Sequence, residues 1–513
     1  MKEGKTNKIL TVLILLLIIP LFINTSFGQE DVPVSPEKTE KTEKTVKEIL
    51  LADFETATPE GFRVEQAEIE LKEDNEDAPA GKGFLEIEVL ELADRERKAV
   101  QLTFKLPEGM DMSCCKSLSA HVKLPALEDR DEWKLRWNVL NGEEKQIYQR
   151  MFEMQGSEDW QKIEWPLSVW RWSNQRVGDW SEARYLVLNI EIGNGTVGID
   201  DIRLVGGERG KMSAMPKPEW IAGIAFPGGC RSMLKESVFI ATDDLENLSE
   251  NDLKSISERV EPIRKWIRAT FKKAVRPIGG DAPVSLIIFK EMDGYKNFYV
   301  RLGDAWNVSI GTPGAGGYTV QDIAASTYSA RYGADRPVWF HELVHAIATR
   351  ELRLIPGQRI HSWLQEGLAN YLQLCIYPKS IGRDMIVRNF NQSITRRSFF
   401  KPLRTLLTGR ITTRNYLQLA TLTAFLVQEH PDWLDKIALG ITSGKDLEKV
   451  LEEDIETSFE KLQDDWHAWG KKVFAFDSEP PDGPGRHFPM PSQWVKEKIE
   501  PDDESKESAT GDN

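Results

Sequence analysis

The sequence predicts a multidomain chain, an N-terminal β-sandwich followed by an α+β domain, and three observations carry that reading. Residues 48–207 repeat short runs in which apolar and polar side chains alternate between turn residues, the pattern of strands with one buried face. Residues 221–477 hold a few strand-like runs around long stretches of helical period and are mostly helical after Pro337. Between them, 206–218 breaks the composition with Pro216 and Pro218. A chain of 513 residues with 40% hydrophobic content exceeds a single core, at about 100–200 residues per domain.

At the N-terminus, Lys2, Lys5 and Lys8 precede an apolar run over 9–23, and Ser26-Phe27-Gly28 follows as a small-x-small signal. Residues 1–28 therefore read as a secretory signal peptide. Pro20 interrupts the run, and a spanning helix needs about 20 apolar residues, so no stable membrane span is expected after cleavage. The expected location is secreted, periplasmic or at the cell surface. Residues 29–47, with a Glu-Lys-Thr repeat over 37–45, are expected to form a disordered charged linker free of large apolar groups.

In the sandwich, strands are expected at 49–55, 84–92, 100–106, 118–124, 133–140, 147–154, 160–167, 185–192 and 197–205. A linker spans 208–220. In the second domain, strands at 237–241 and 284–290 flank a long amphipathic helix over 250–273. The acidic, Pro-rich tail from 478 to 513 is expected to be disordered. A net charge of −15 argues against nucleic acid or an anionic membrane as partner. Cys114, Cys115, Cys230 and Cys375 leave disulfide pairing open.

The chemistry concentrates at His341-Glu342-Leu343-Val344-His345 and, twenty residues further, Glu366. Imidazoles at i and i+4 share one helix face, and with a third carboxylate ligand they make a set for a zinc ion with one open position. Glu342 then stands beside that position as a general base for water. Asp335 and Pro337 offer a helix start, and Pro356-Gly357 a stop. A second helix is expected from Ser362, with Gln365 closing a capping box and Glu366 in the first turns, where the helix dipole favours it. Gly311 to Val320 reads as a glycine-rich turn entering a strand.

Together with Trp363-Leu364-Gln365-Glu366-Gly367-Leu368-Ala369, the motif resembles the gluzincin zinc peptidases, the thermolysin-like and aminopeptidase-N-like enzymes, sharply over 336–373 and diffusely over 221–475. The resemblance implies a peptide substrate, His341, His345 and Glu366 as zinc ligands, and Glu342 as base. It places Asn370 behind a ligand histidine, where some members carry Asp. It makes Tyr416, ahead of an apolar run, the oxyanion donor, with His361, His430 and His467 as weaker candidates. It also gives an edge strand, Gly317, Tyr318 and Thr319, for pairing with the substrate backbone. The stretch lacks the Gly-x-Met-Glu-Asn of aminopeptidases, which favours an endopeptidase.

Ala52-Asp53-Phe54-Glu55 and Ile199-Asp200-Asp201-Ile202 make the first domain resemble the galactose-binding-like jelly rolls common in carbohydrate-binding modules. That resemblance implies polysaccharide as a further partner, with Trp165, Trp170, Trp172 and Trp180 as stacking faces. It also suggests a structural Ca2+ at Asp53, Glu55, Asp200 and Asp201. The alternative function is a non-catalytic extracellular binding protein with a degenerate peptidase domain.

Overall fold

In a computed structural model of the chain the described residues run from 48 to 475, with Pro489 beyond them; internal stretches, the longest at 90–99, 207–216 and 329–336, fall outside the description. The expected signal peptide and charged linker, most of the 208–220 linker, Asp335 and the tail apart from Pro489 lie outside it as well. Among the described residues no helix is long and apolar enough to cross a membrane.

The N-terminal part is a β-sandwich. Its strands are β1 (Ile49–Ala52), β2 (Arg63–Glu65), β3 (Glu68–Lys72), β4 (Phe84–Val89), β5 (Val100–Lys105), β6 (Cys115–Leu124), β7 (Trp133–Leu140), β8 (Gln146–Met154), β9 (Ser157–Pro166), β10 (Arg171–Trp172), β11 (Tyr185–Ile192) and β12 (Gly195–Gly206). One sheet runs β3-β4-β12-β6-β9 with β1 also on β12, the other β10-β8-β7-β11-β5-β2. Alternation builds the core: Leu85, Ile87, Leu118, Ala120 and Ile199 meet Leu102, Leu135, Trp137, Leu186 and Leu188 from the facing sheet. All nine expected runs contain a strand. The short β2, β3 and β10 were not expected, since they carry few apolar side chains to signal them.

The C-terminal region starts at α1 (Pro218–Ala225), inside the stretch expected to be linker. A five-stranded sheet of β13 (Arg231–Lys235), β14 (Val238–Thr242), β15 (Val284–Phe289), β16 (Gly317–Val320) and β17 (Ile323–Thr327) follows in the order β13-β14-β15-β17-β16. Its inner pairs are parallel and its outer pairs antiparallel. Central β15 buries all six residues, as a strand covered on both faces must. Ile287 and Phe289 pack with α1 and α3 (Met292–Trp306). Leu286 and Ile288 pack on the opposite side with α2 (Glu250–Thr270) and α4 (Val338–Leu352).

Beyond α4 the chain is helical: α5 (Arg359–Ile376), α6 (Arg383–Thr395), α7 (Leu403–Thr408), α8 (Tyr416–Glu429), α9 (Pro431–Thr442), α10 (Leu447–Lys449, continuing as a π-helix to Ile455) and α11 (Phe459–Val473). Pro356 and Gly357, the latter at φ 78°, make the expected turn between α4 and α5. The second helix starts at Arg359, not Ser362, and its N-cap Gln358 makes no side-chain cap bond. Glu366 therefore lies two turns in, beyond the reach of the helix dipole. The four cysteines are not joined to one another in disulfides.

Candidate metal centre

Helix α4 is buried along nearly its whole length beneath the sheet, which leaves His341 and His345 little freedom. Their Nε2 atoms lie 3.1 Å apart. The Pro356-Gly357 turn folds α5 back so that Glu366 Oε2 comes 3.2 Å from His341 Nε2 and 3.7 Å from His345 Nε2. Ligands of a tetrahedral zinc at about 2.0–2.1 Å stand roughly 3.3–3.4 Å from one another, so the three atoms already have the spacing of a coordination shell. Glu366 Oε2 is buried and finds no hydrogen-bond donor, an arrangement that costs free energy unless a cation meets it. The donor set fits zinc, and among the described residues it is the one cluster of three metal-ligating side chains.

Burial alone would raise the Glu366 pKa, but the neighbouring His345, together with contacts from His341 and Tyr416, outweighs it and holds the carboxyl below its ordinary range. Glu342 shows the reverse balance. Burial pushes it up to about 7, against the opposing influence of the His345 imidazole and a hydrogen bond from Thr319. The Thr319 hydroxyl donates to Glu342 Oε2 at 2.9 Å. Gly317 is required here by space: a Cβ would lie 2.7 Å from Glu342 Cγ and 2.6 Å from Val338 Cγ1.

Tyr416 opens α8, and its ring lies over His341 with centroids 5.8 Å apart and planes at 23°. Its hydroxyl bonds the Glu366 carboxylate, and burial followed by that negative charge raises its pKa. On the edge strand, Thr327 N–H donates to Gly316 O at 2.9 Å. The two-residue alternation of an antiparallel pair then turns the main-chain groups of Gly317 and Thr319 to the open edge. The side chain of Tyr318 is 43% exposed beside it.

Two expected roles change. Asn370 does not reach a histidine; its Nδ2 donates to Glu366 O at 2.8 Å, one turn back along its own helix. The residue behind His345 is Gln365, with Oε1 2.8 Å from His345 Nδ1. Gln365 Nε2 is anchored to Leu354 O at 2.7 Å and Thr349 Oγ1 at 3.1 Å, so the acceptor end of the amide faces the imidazole. Nδ1 carries the proton, and Nε2 is left as the ligand atom. A glutamine immediately before the third candidate ligand was the signal available in the sequence. His361 is structural: Nδ1 accepts from Ile355 N–H at 2.9 Å, Nε2 donates to Ile441 O at 3.3 Å, and burial lowers its pKa to about 4. His430 stacks on Trp433 at 3.8 Å.

In the sandwich, Trp165, Trp170 and Trp180 are 3%, 2% and 1% exposed and belong to the core, which removes them as sugar platforms. The side chain of Trp172 lies outside the description. The four acidic residues do not converge. Asp201 is engaged by Arg203 and lies 3.5 Å from His121, while Asp53 accepts from Glu55 N–H at 3.4 Å. Asp200 is fully buried with Oδ2 unpartnered, and burial followed by its acidic neighbours Asp201 and Glu55 drives its pKa up to about 7.

No family model matches the chain, and no curated protein does. Among solved structures, the family 11 carbohydrate-binding module of a cellulosomal cellulase of Clostridium thermocellum is 17% identical, covering 32% of this chain and 96% of that one at a TM-score of 0.25. A xylan-binding domain from Paenibacillus barcinonensis is 15% identical over 32% of this chain and 97% of its own, at 0.24. An agarase is 12% identical over 43% and 31%, at 0.26.

Proposed function

We propose that the chain is a secreted zinc-dependent peptidase, more an endopeptidase than an aminopeptidase. The convergence of His341 Nε2, His345 Nε2 and Glu366 Oε2 carries this reading. Zinc held by these three would supply Lewis acidity and a more acidic water. Glu342 takes a proton from the attacking water and passes it to the leaving amine. The Tyr416 hydroxyl, released from Glu366, donates to the oxyanion, and the open edge at Gly317 and Thr319 pairs with the peptide backbone. Glu342→Gln should retain stoichiometric zinc while cleavage of a casein-type substrate falls by about 10²-fold or more. Wild-type protein without zinc, or a variant with full turnover, refutes the assignment.

A second reading, an extracellular polysaccharide binder whose metal centre is catalytically idle, is favoured by the outer face of the second sheet. Met151, Arg136, Asn189, Gln101 and Glu65 stand in register across five neighbouring strands, and the next row brings Gln149 beside Asn138. Planar amides and a guanidinium in a row suit the hydroxyls of a sugar chain. Retarded migration of the full chain in polysaccharide gels, lost on Asn138→Ala with Asn189→Ala, supports this face; unchanged retardation removes it.

A further inference from the structure

The sandwich is fastened to the end of the helix that carries the histidines. Arg353, the C-cap of α4 in the left-handed region at φ 59°, reaches out of the C-terminal region. Its Nη1 lies 2.6 Å from Glu182 and its Nη2 2.5 Å from Asp179, while Nε donates to Arg276 O at 3.0 Å. Asp179 caps the 3-10 turn Trp180–Glu182, and Trp180 is stacked on Tyr148 at 3.7 Å inside the sandwich core. The clamp is thus anchored on a rigid wall.

A second contact lies beside it. Arg276 N–H and Ile278 N–H donate to Glu351 O and Arg350 O at 2.9 and 3.0 Å, satisfying last-turn carbonyls of α4. The side chain of Ile278, 1% exposed, is buried within the sandwich core, and Ile355 packs against the same cluster. A detached sandwich would leave an apolar side chain and an arginine fork without partners. Immediately after Arg353, the carbonyl of Leu354 holds Gln365, and Gln365 holds His345.

We propose that the β-sandwich is a built-in brace of the metal centre, docked on the C-terminal region of its own chain through Arg353 and Ile278. Docking fixes the turn between α4 and α5, so that Leu354 O keeps Gln365 in register with His345 Nδ1. Arg353, Asp179 and Glu182 are positioning residues, and the proposal rests on the metal reading above. It goes beyond a tethered binding module, because any ligand face on the sandwich is then held at a fixed place relative to the centre.

The test uses the full chain, stripped of metal and titrated with zinc against a chromophoric chelator, with Co2+ absorption as a second readout. Asp179→Asn with Glu182→Gln, and Arg353→Gly, which keeps the left-handed backbone, should each weaken zinc binding by about tenfold, the low end of the loss expected for an outer-shell partner. Both should also shift the Co2+ bands. Arg353→Lys, which retains one charged donor, should recover part of the affinity. Should the double variant fail to fold, Glu182→Gln alone decides by the same measurement. Folded variants with wild-type zinc affinity and unshifted bands overturn the brace. A wild-type chain that binds no zinc overturns the metal reading, and the brace with it.

Discussion

Replacing Gln365 by Leu separates two accounts of how the histidines proposed as ligands are oriented. The amide is 2% exposed and makes bonds at 2.8, 2.7 and 3.1 Å to His345 Nδ1, Leu354 O and Thr349 Oγ1. Leucine preserves most of the volume and removes every one of them. Loss of a partner behind a ligand histidine costs about 10–100-fold in metal affinity, or roughly 1.4–2.8 kcal/mol. The stranded Leu354 carbonyl costs about a further 1–3 kcal/mol of fold stability, which appears in the metal-free protein and can be measured separately by urea unfolding. Asn370→Ala is the control, because Asn370 bonds only its own helix backbone at Glu366 O among the contacts described. Zinc affinity, read by chelator competition on both variants, should fall for Gln365→Leu and stay within about threefold for Asn370→Ala, less than the tenfold of a true outer-shell loss. The opposite order, or equal losses, refutes the assignment of Gln365.

Further outcomes follow from individual residues. Gly317→Ala drives a methyl against Glu342 and Val338; overpacking of this kind costs about 1–3 kcal/mol, and turnover on a quenched peptide should fall while zinc stoichiometry holds. His361 has a folded pKa of about 4 against 6.5 for the free side chain, so the unfolded chain binds the extra proton between those values. Its stabilising contribution is present above pH 6.5 and is lost towards pH 4, by about 3 kcal/mol; chemical denaturation of the metal-free protein should show this acid limb and His361→Asn should flatten it. Asp200, raised from 3.8 to about 7, is more favourable protonated in the fold, so its contribution is lost as pH rises through about 7. At pH 8, Asp200→Asn should melt above wild type; a variant that melts lower contradicts the cost assigned to the unpartnered Oδ2.

The sandwich strands were legible because a surface of one buried face writes its period directly into β4, β6, β7 and β11. The pairing of His341 and His345 was legible for a similar reason, since the helix repeat alone puts them together. The readings that failed were decided by partners distant in sequence. Trp165, Trp170 and Trp180 looked like stacking faces because an indole reads the same inside a core or outside it. Ser362 attracted the helix start because it matches a capping rule, whereas α5 begins at Arg359 with no side-chain cap bond from Gln358. Gln365 was consequently read as a capping side chain, and Asn370 received its role by analogy of position. Arg353 and Ile278 carry no local signal at all.

The three side chains proposed as ligands belong to a single helical hairpin, α4 and α5 joined by a short turn, while the strands of the sandwich pair residues as far apart as Ile49 and Leu204. Closing the first costs less loop entropy than closing the second, by roughly 2 kcal/mol. During folding the hairpin should therefore assemble early and loosely, able to capture an ion before the neighbouring β-structure has zipped. Slow release of that ion would be acquired only afterwards, when the last long-range strand pairing is complete.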